Sequence, residues 1–281
     1  MFLASTKSRI RFARLAFASI MATRRALGRD HHVTARRGGI TWALDLREGI
    51  DIAIYCVGRF EPATVRACRR LLKPGSVAVD IGANSGAHTL PLAQAVGESG
   101  RVLAYEPTAS AYERLLRNIE LNPRLAARIV PRQVMLMDVT DRPLPTSLPS
   151  SWPLTPSDHA HPLHWGVATP TEGARVTTLD DSVAESGVAR LDLIKLDVDG
   201  YEPEVLAGAK EVLQHFRPAV VLEIAPYLLV ERGVSPFAPF TVLENTGYRF
   251  ATLSGRPVDR TLAAVLSKRP GVSRNIIAVA R

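Results

Sequence analysis

Cysteine is nearly absent from this chain of 281 residues, with Cys56 and Cys68 the only two. They lack Cys-x-x-Cys spacing and the density of a disulfide scaffold, which excludes a stapled secreted module and predicts two buried free thiols in a reducing cytoplasm. The dinucleotide fingerprint Gly-x-Gly-x-x-Gly is missing, which argues against a nicotinamide or flavin enzyme, and there is no Walker loop. No internal repeat is visible. The apolar run Leu15 to Met21 is interrupted by Ser19 and is too short to span a bilayer. Three histidines, His159, His161 and His164, lie close together, but no nearby cysteine or paired carboxylate completes a metal-ligand spacing, so no metal is expected.

Positive charge is in excess, and it is unevenly placed. Nine basic residues up to Arg37 (Lys7, Arg9, Arg11, Arg14, Arg24, Arg25, Arg29, Arg36, Arg37) face Asp30 alone, a local charge equal to the +8 of the whole chain. Residues 38 to 281 are therefore neutral as a body, which argues against a nucleic-acid substrate, since such enzymes carry their positive stripe on the folded domain. The basic arm, residues 1–37, also holds Ile10, Phe12, Leu15, Phe17, Ile20 and Met21. It reads as a basic amphipathic helix with three open fates: peripheral contact with an anionic membrane or a partner through residues 1–30, packing on its own domain, or removal as a targeting peptide.

The rest of the chain is long enough for one substantial core, at 46% apolar residues. Ile40 to Leu46 and Ile50 to Tyr55 alternate as two strands about the turn Arg47 to Gly49, predicting a hairpin within a lead-in segment, residues 38–75. Glu61 to Leu72 predicts a helix stopped by Pro74 and Gly75. From residue 76 to 281, strand candidates at 76–81, 101–106, 128–136, 191–197, 218–224, 247–253 and 275–280 alternate with helical runs at 87–96, 109–121, 202–215 and 236–246. That alternation implies a mostly parallel sheet covered on both faces. Residues 141–174, rich in proline and carrying Trp152 and Trp165, interrupt it as a long loop that reads as a lid or substrate wall.

The densest signal is Val77 to Gly86, VAVDIGANSG, a β-prone run entering a glycine turn that carries its own carboxylate. Gly82 and Gly86 permit a tight turn and close backbone approach. Asp80 at the strand end suits a cationic or hydroxyl-rich ligand better than a pyrophosphate. Twenty residues past Gly86, Glu106 ends a second apolar run, where an acidic side chain can take both ribose hydroxyls. The ligand reads as a nucleoside without phosphates.

On these residues, with TTLDD at Thr177 to Asp181 and LDLIKLDVDGYEPEVLAGA from Leu191 to Ala209, the chain resembles the FkbM-type family of class I S-adenosylmethionine-dependent methyltransferases, from about Gly38 to Tyr248. Asp197, Val198, Asp199 and Gly200 stand where the family usually has Asp-Val-Glu-Gly. The resemblance implies a Rossmann-like α/β fold with a seven-stranded mostly parallel sheet, helices on both faces, an antiparallel last strand, and an N-terminal helix and β-hairpin before it. It implies S-adenosyl-L-methionine as cofactor, with Asp80, Gly82, Ala83, Asn84 and Gly86 facing its methionine part and ribose, Glu106 with Pro107 at the ribose hydroxyls, and Asp138 at the adenine. Met135, Leu136 and Met137 replace the family's small residues beside Asp138. Glu61, in the sequence RFEP, resembles a position that closes over the site.

In a parallel sheet the ligand lies beyond the carboxyl ends of the strands, where Asp80, Glu106, Asp138, Asp197 and Glu223 all fall. Asp197 is the first candidate base, with Glu202 and Glu223 next. Lys195, two residues before Asp197, points to the same side of its strand and either supports it in catalysis or serves only as its ion-pair partner. His88 packs near the cofactor or acts as a base. The expected function is a cytoplasmic methyltransferase, O-directed, acting on a sugar or small hydroxylated metabolite. Rivals are N-methylation and a catalytically silent cofactor-binding protein working through its basic arm.

Overall fold

The computed structural model describes residues 6–155, 158–163 and 165–281, with side chains from residue 13 onward. His164 lies outside the described residues. Helix α1 (Thr6–Ala26) precedes a hairpin of β1 (His32–Arg37) and β2 (Ile40–Asp45), and two further helices follow, α2 (Gly49–Val57) and α3 (Pro62–Leu71). The hairpin therefore straddles the expected boundary at residue 37, and residues 50–55 are helical rather than its second strand. The turn is Gly38-Gly39, both at positive φ (+59° and +81°), a conformation that glycine adopts without steric cost. The segment Ile50 to Tyr55 is apolar nearly throughout, a pattern that does not separate a buried helix from a strand. Its buried residues, Asp51, Ile52 and Ile54, face inward from α2. Cys56 falls on the outer side of α2 and is exposed, contrary to expectation, while Cys68 is buried; both are free thiols.

The alternation from residue 76 onward folds as expected. The strands are β3 (Val77–Ile81), β4 (Arg101–Tyr105), β5 (Ile129–Arg132), β6 (Val134–Leu136), β7 (Ser147–Ser151), β8 (Val167–Pro170), β9 (Arg175–Thr177), β10 (Leu193–Leu196), β11 (Ala219–Ile224), β12 (Tyr248–Thr252), β13 (Pro257–Val258) and β14 (Arg274–Ala280). The main sheet has the order β13-β12-β14-β11-β10-β3-β4-β5. Its centre, β11-β10-β3-β4-β5, is parallel, and β14 inserts antiparallel between β11 and β12. This is the Rossmann-like class I methyltransferase arrangement, with two-residue β13 added at one edge. The expected strand 128–136 divides at Gln133 into β5, in the sheet, and β6, which pairs with β9.

Strand alternation sorts the core into two layers. Val77, Val79 and Ile81 of β3, with Ile194 and Leu196 of β10, enter the layer on one face. Ala78 and Leu193 enter the other, beneath α3, α4 (Thr89–Ala95) and α5 (Ala109–Glu120). By the same period of two, Asp80 and Lys195 fall on that second face, directly opposite each other in the parallel register of β3 and β10. The arrangement forces an acid and a base into one buried layer side by side.

Helix α1 packs on its own domain: Met21 is buried, and Ala13, Phe17 and Ile20 lie against the second layer. Residues 13–26 of the basic arm are thus packed on the domain. No described helix is long and apolar enough to cross a membrane. Within the 141–174 segment, β7 and β8 pair as an antiparallel hairpin with a bulge between Pro149 and Ser151. Arg14 of α1 lies 4.4 Å above the ring of Trp165, joining arm to insertion.

Candidate active site

At the carboxyl ends of the parallel strands a cavity of about 1130 Å³ opens. Its floor is made by the glycine turn after β3. Gly82 has φ +78°, and a Cβ there would lie 1.8 Å from the Asp197 carbonyl oxygen, so only glycine lets the β3 and β10 ends come together. The amides of Gly82 and Ala83 both donate to the Tyr105 carbonyl, at 3.0 and 2.9 Å, fixing the turn on the neighbouring strand. Gly86, at φ +90°, serves packing: a Cβ would meet Leu90 and Leu115 at 2.8 and 3.0 Å.

Glu106 is 3% exposed and fully engaged from the protein side. Its Oε2 accepts from the Asn84 amide at 2.9 Å, and its Oε1 accepts from the Thr108 amide and hydroxyl at 2.9 and 2.5 Å. Burial nevertheless outweighs these bonds and raises its pKa. The Thr108 hydroxyl also bonds Ser150 Oγ of β7 at 2.9 Å, and the Asn84 side-chain amide donates to the Ser150 carbonyl at 2.8 Å. Glu48 accepts from Ser151 Oγ at 2.7 Å and from the Trp152 amide at 3.0 Å. The proline-rich insertion is thus stitched to the glycine turn, and Leu148, Pro149, Ser150 and Trp152 form one wall of the cavity.

Lys195 and four carboxylates form the reactive corner. Lys195 Nζ stands 3.2 Å from Asp197 Oδ2 and 3.8 Å from Asp80 Oδ1, with the lysine side chain 3% exposed and Asp80 fully buried. Burial alone would lower the Lys195 pKa, but Asp197, Asp80 and Glu61 more than reverse this and keep it charged. Asp80 Oδ2 accepts from Thr89 Oγ1 at 2.6 Å, while its buried Oδ1 accepts no hydrogen bond. Asp199 and Glu223 complete the corner. Burial, then the neighbouring Asp197, pushes the pKa of each well above the usual carboxylate range. Asp199, the second carboxylate of the run, stands in sequence where the family usually has glutamate. Its φ of +49° and the adjoining Gly200, at +98°, mark a strained turn that aims it at the cavity.

Glu61, at φ +40°, caps the entrance to α3 and lines the cavity. Its Oε2 accepts from Thr64 Oγ1 at 3.0 Å and Asn275 Nδ2 at 2.8 Å, and lies 3.6 Å from His88 Nε2. Against the opposing effect of burial, His88 and then Lys195 hold its carboxyl well below the usual range. His88, which also lines the cavity, meets the Phe60 ring edge-on at 5.8 Å.

Of the residues singled out in the sequence, Glu61, Gly82, Ala83, Asn84, Glu106, Pro107, Lys195, Asp197 and Glu223 line this cavity. Asp80 and Gly86 stand behind the lining. Asp138 is placed elsewhere: both its oxygens accept from the Arg142 guanidinium, at 2.6 and 2.7 Å, and β6 presents Val134, Met135 and Leu136 to the cavity instead. The chain turns after Leu136, where Met137 N bonds Thr177 O, and this carries Asp138 past the cavity. Glu202 also lies off the cavity. Its Oε1 accepts from the Val198 and Gly200 amides at 3.2 and 3.3 Å, so it holds the Asp197-to-Gly200 turn. The histidines of the insertion form no ligand cluster among the described residues; His161 stands 3.6 Å from Glu231. His31, His32 and Asp45 do cluster at the hairpin end, but the Asp45 carboxylate is already forked by Arg47.

Burial raises Glu202 from its ordinary 4.5 to about 7. The folded state therefore binds this proton more tightly than the unfolded chain, and the associated stability is full below pH 4.5 and lost as pH rises through 7. Glu202→Gln, which cannot ionise, is expected to match the parent near pH 4.5 and to exceed its stability by up to about 3 kcal/mol at pH 8. Urea unfolding at the two pH values checks this; a difference independent of pH sinks it.

The sequence profile of the methyltransferase FkbM domain matches residues 80–250, about three fifths of the chain. The chain belongs to the FkbM methyltransferase family. It is similar to the 2-O-methyltransferase NoeI of Sinorhizobium fredii, 28% identical over 160 residues that make 52% of this chain and 63% of that protein. It is also similar to the hexuronic acid methyltransferase AglP of Haloferax volcanii, 26% identical over 170 residues, 58% of this chain and 62% of that one. The matched segments thus span just under two thirds of these relatives. Among solved structures, the methyltransferase FkbM of Methylobacillus flagellatus is similar over 78% of this chain and 56% of its own, at 13% identity and a TM-score of 0.45. For this FkbM chain the cavity itself supplies a test of the family's cofactor. The buried Glu106 carboxylate beside the glycine turn, and more carboxylates than the one lysine can balance, fit a ligand that brings hydroxyls and positive charge.

Proposed function

We propose that the protein is an S-adenosylmethionine-dependent O-methyltransferase acting on a hydroxyl of a sugar. The observation that carries the reading is the convergence of Glu106, the glycine turn and the Asp197, Asp199 and Glu223 carboxylates on one cavity. The cofactor supplies a methyl group on a cationic sulfur, a good leaving group that needs no protonation. The glycine turn and Glu106 hold the ribose and methionine end, and Met135 and Leu136 offer an apolar contact for the adenine. The acidic floor favours the cation. Asp197 takes the acceptor's hydroxyl proton, and Lys195, buried and charged, holds Asp197 in place. Asp199 and Glu223 complete the floor. The 2-O-methyltransferase NoeI supports an O-directed transfer, and the hexuronic acid methyltransferase AglP supports a sugar as acceptor.

Calorimetry is expected to show binding of S-adenosylhomocysteine and none of NAD, and Glu106→Gln is expected to weaken the former by at least tenfold, the size of one lost charge-assisted hydrogen bond, about 1.5–3 kcal/mol. With labelled cofactor and a turned-over sugar, Asp197→Asn is expected to lower turnover at least roughly tenfold with that affinity nearly intact. Failure to bind S-adenosylhomocysteine overturns the reading. Normal turnover by Asp197→Asn moves the base to Asp199 or Glu223.

A further inference from the structure

The mouth of the cavity is opposite in charge to its floor. Arg59, Arg66, Arg256 and Arg274 all line it. Arg59 is half-buried in the turn between α2 and α3, and the other three are exposed. Among the described residues none of the four guanidinium groups makes an ion pair or hydrogen bond, whereas Arg47, Arg132, Arg175, Arg190, Arg232 and Arg260 are each matched to a carboxylate. The four come from distant parts of the chain and are gathered by specific bonds. Arg70, one helical turn after Arg66 on the same face of α3, donates to the Leu253 carbonyl, which brings Arg66 to the turn that carries Arg256. Asn275 donates to Glu61 at 2.8 Å and to Thr64 at 3.1 Å, which draws Arg274 to the start of the same helix.

Gathering four like charges around one opening is unfavourable unless an anion occupies it, and planar guanidinium forks match carboxylate and phosphate oxygens. The volume, about 1130 Å³, exceeds that of a site for one small ligand, roughly 300–1,000 Å³, and leaves room for a second molecule beside a nucleoside cofactor. We infer that the methyl acceptor is an anionic sugar, one bearing a carboxylate or a phosphate, clamped at the cavity mouth by Arg59, Arg66, Arg256 and Arg274; this rests on the methyltransferase reading of the same cavity. The polarity orients the acceptor. Its anionic group stays with the arginines, whose guanidinium forks hold it, and its hydroxyl end is left pointing toward Asp197.

The test uses the full chain saturated with S-adenosylhomocysteine and three probes: methyl β-D-glucuronide, α-D-glucose 1-phosphate and methyl β-D-glucoside. Affinities are followed by saturation-transfer NMR at low salt. At least one anion is expected to bind tenfold or more tightly than the neutral glucoside, and the preferred anion separates carboxylate from phosphate recognition. The double variant Arg66→Gln/Arg256→Gln changes only exposed side chains. It is expected to weaken the anion at least tenfold while leaving S-adenosylhomocysteine affinity unchanged, and Arg66→Lys/Arg256→Lys is expected to fall between. Equal binding of glucoside and anions, anion binding unchanged in the double glutamine variant, or no binding of either anion overturns the inference alone. Absence of S-adenosylhomocysteine binding by the parent protein overturns the methyltransferase reading, and the inference with it.

Discussion

Lys195→Met is expected to cost about 3–5 kcal/mol of stability, the usual consequence of removing one partner from a buried ion pair. Methionine fills similar volume, so the loss arises from Asp80 and Asp197, which the lysine neutralises at 3.8 and 3.2 Å. Asp80 is fully buried and, among the described residues, retains no other ion-pair partner, whereas Asp197 keeps partial access to solvent. The thermal midpoint should therefore fall by roughly 10 °C for a domain of this size, and methyl transfer should fall with it. Adding Asp80→Asn to the same background should recover part of the stability, because it removes the charge left stranded. A midpoint within a degree of the parent protein would show that water or rearrangement already serves the two carboxylates.

Gly82→Ala is expected to disrupt both fold and cofactor site. The new Cβ falls 1.8 Å from the Asp197 carbonyl oxygen, a backbone atom that cannot swing aside, and the residue sits at φ +78°. Overpacking costs about 1–3 kcal/mol and the left-handed conformation about 1–2 kcal/mol more, so a loss of roughly 2–5 kcal/mol is expected in urea unfolding. Relief of the clash requires the ends of β3 and β10 to part, which moves the glycine turn away from Asp197. Binding of S-adenosylhomocysteine should consequently fall by more than tenfold. Gly187→Ala is the control, since φ there is +63° but nothing lies within 4 Å of a Cβ. It should show the conformational cost alone, with cofactor affinity unchanged. Equal effects at the two glycines would refute the role of Gly82 in joining the strand ends.

The amino-acid sequence by itself determined the alternation of strands and helices after residue 76, because parallel strands buried on both faces are written as short apolar runs that stand out against amphipathic helices. It also determined the glycine turn and the carboxylates at strand ends, since both belong to local spacing. Where local pattern was degenerate it failed. Ile50 to Tyr55 is apolar but for Asp51, so only its burial against the second core layer made it helix α2. Asp138 follows a strand in sequence as Glu106 does, yet the chain turns away after β6 and leaves it to Arg142. Glu202, a candidate base next after Asp197, lies off the cavity and accepts from the backbone amides two and four residues before it, a placement that its position in the sequence does not show. Tertiary structure alone decided the pairing of Asp80 with Lys195, 115 residues apart, through the register of two parallel strands. It alone gathered Arg59, Arg66, Arg256 and Arg274 around one opening. Spacing along the chain encodes what one strand or turn presents, whereas the meeting of distant charges is set by sheet order, register and the bonds that tie separate elements together.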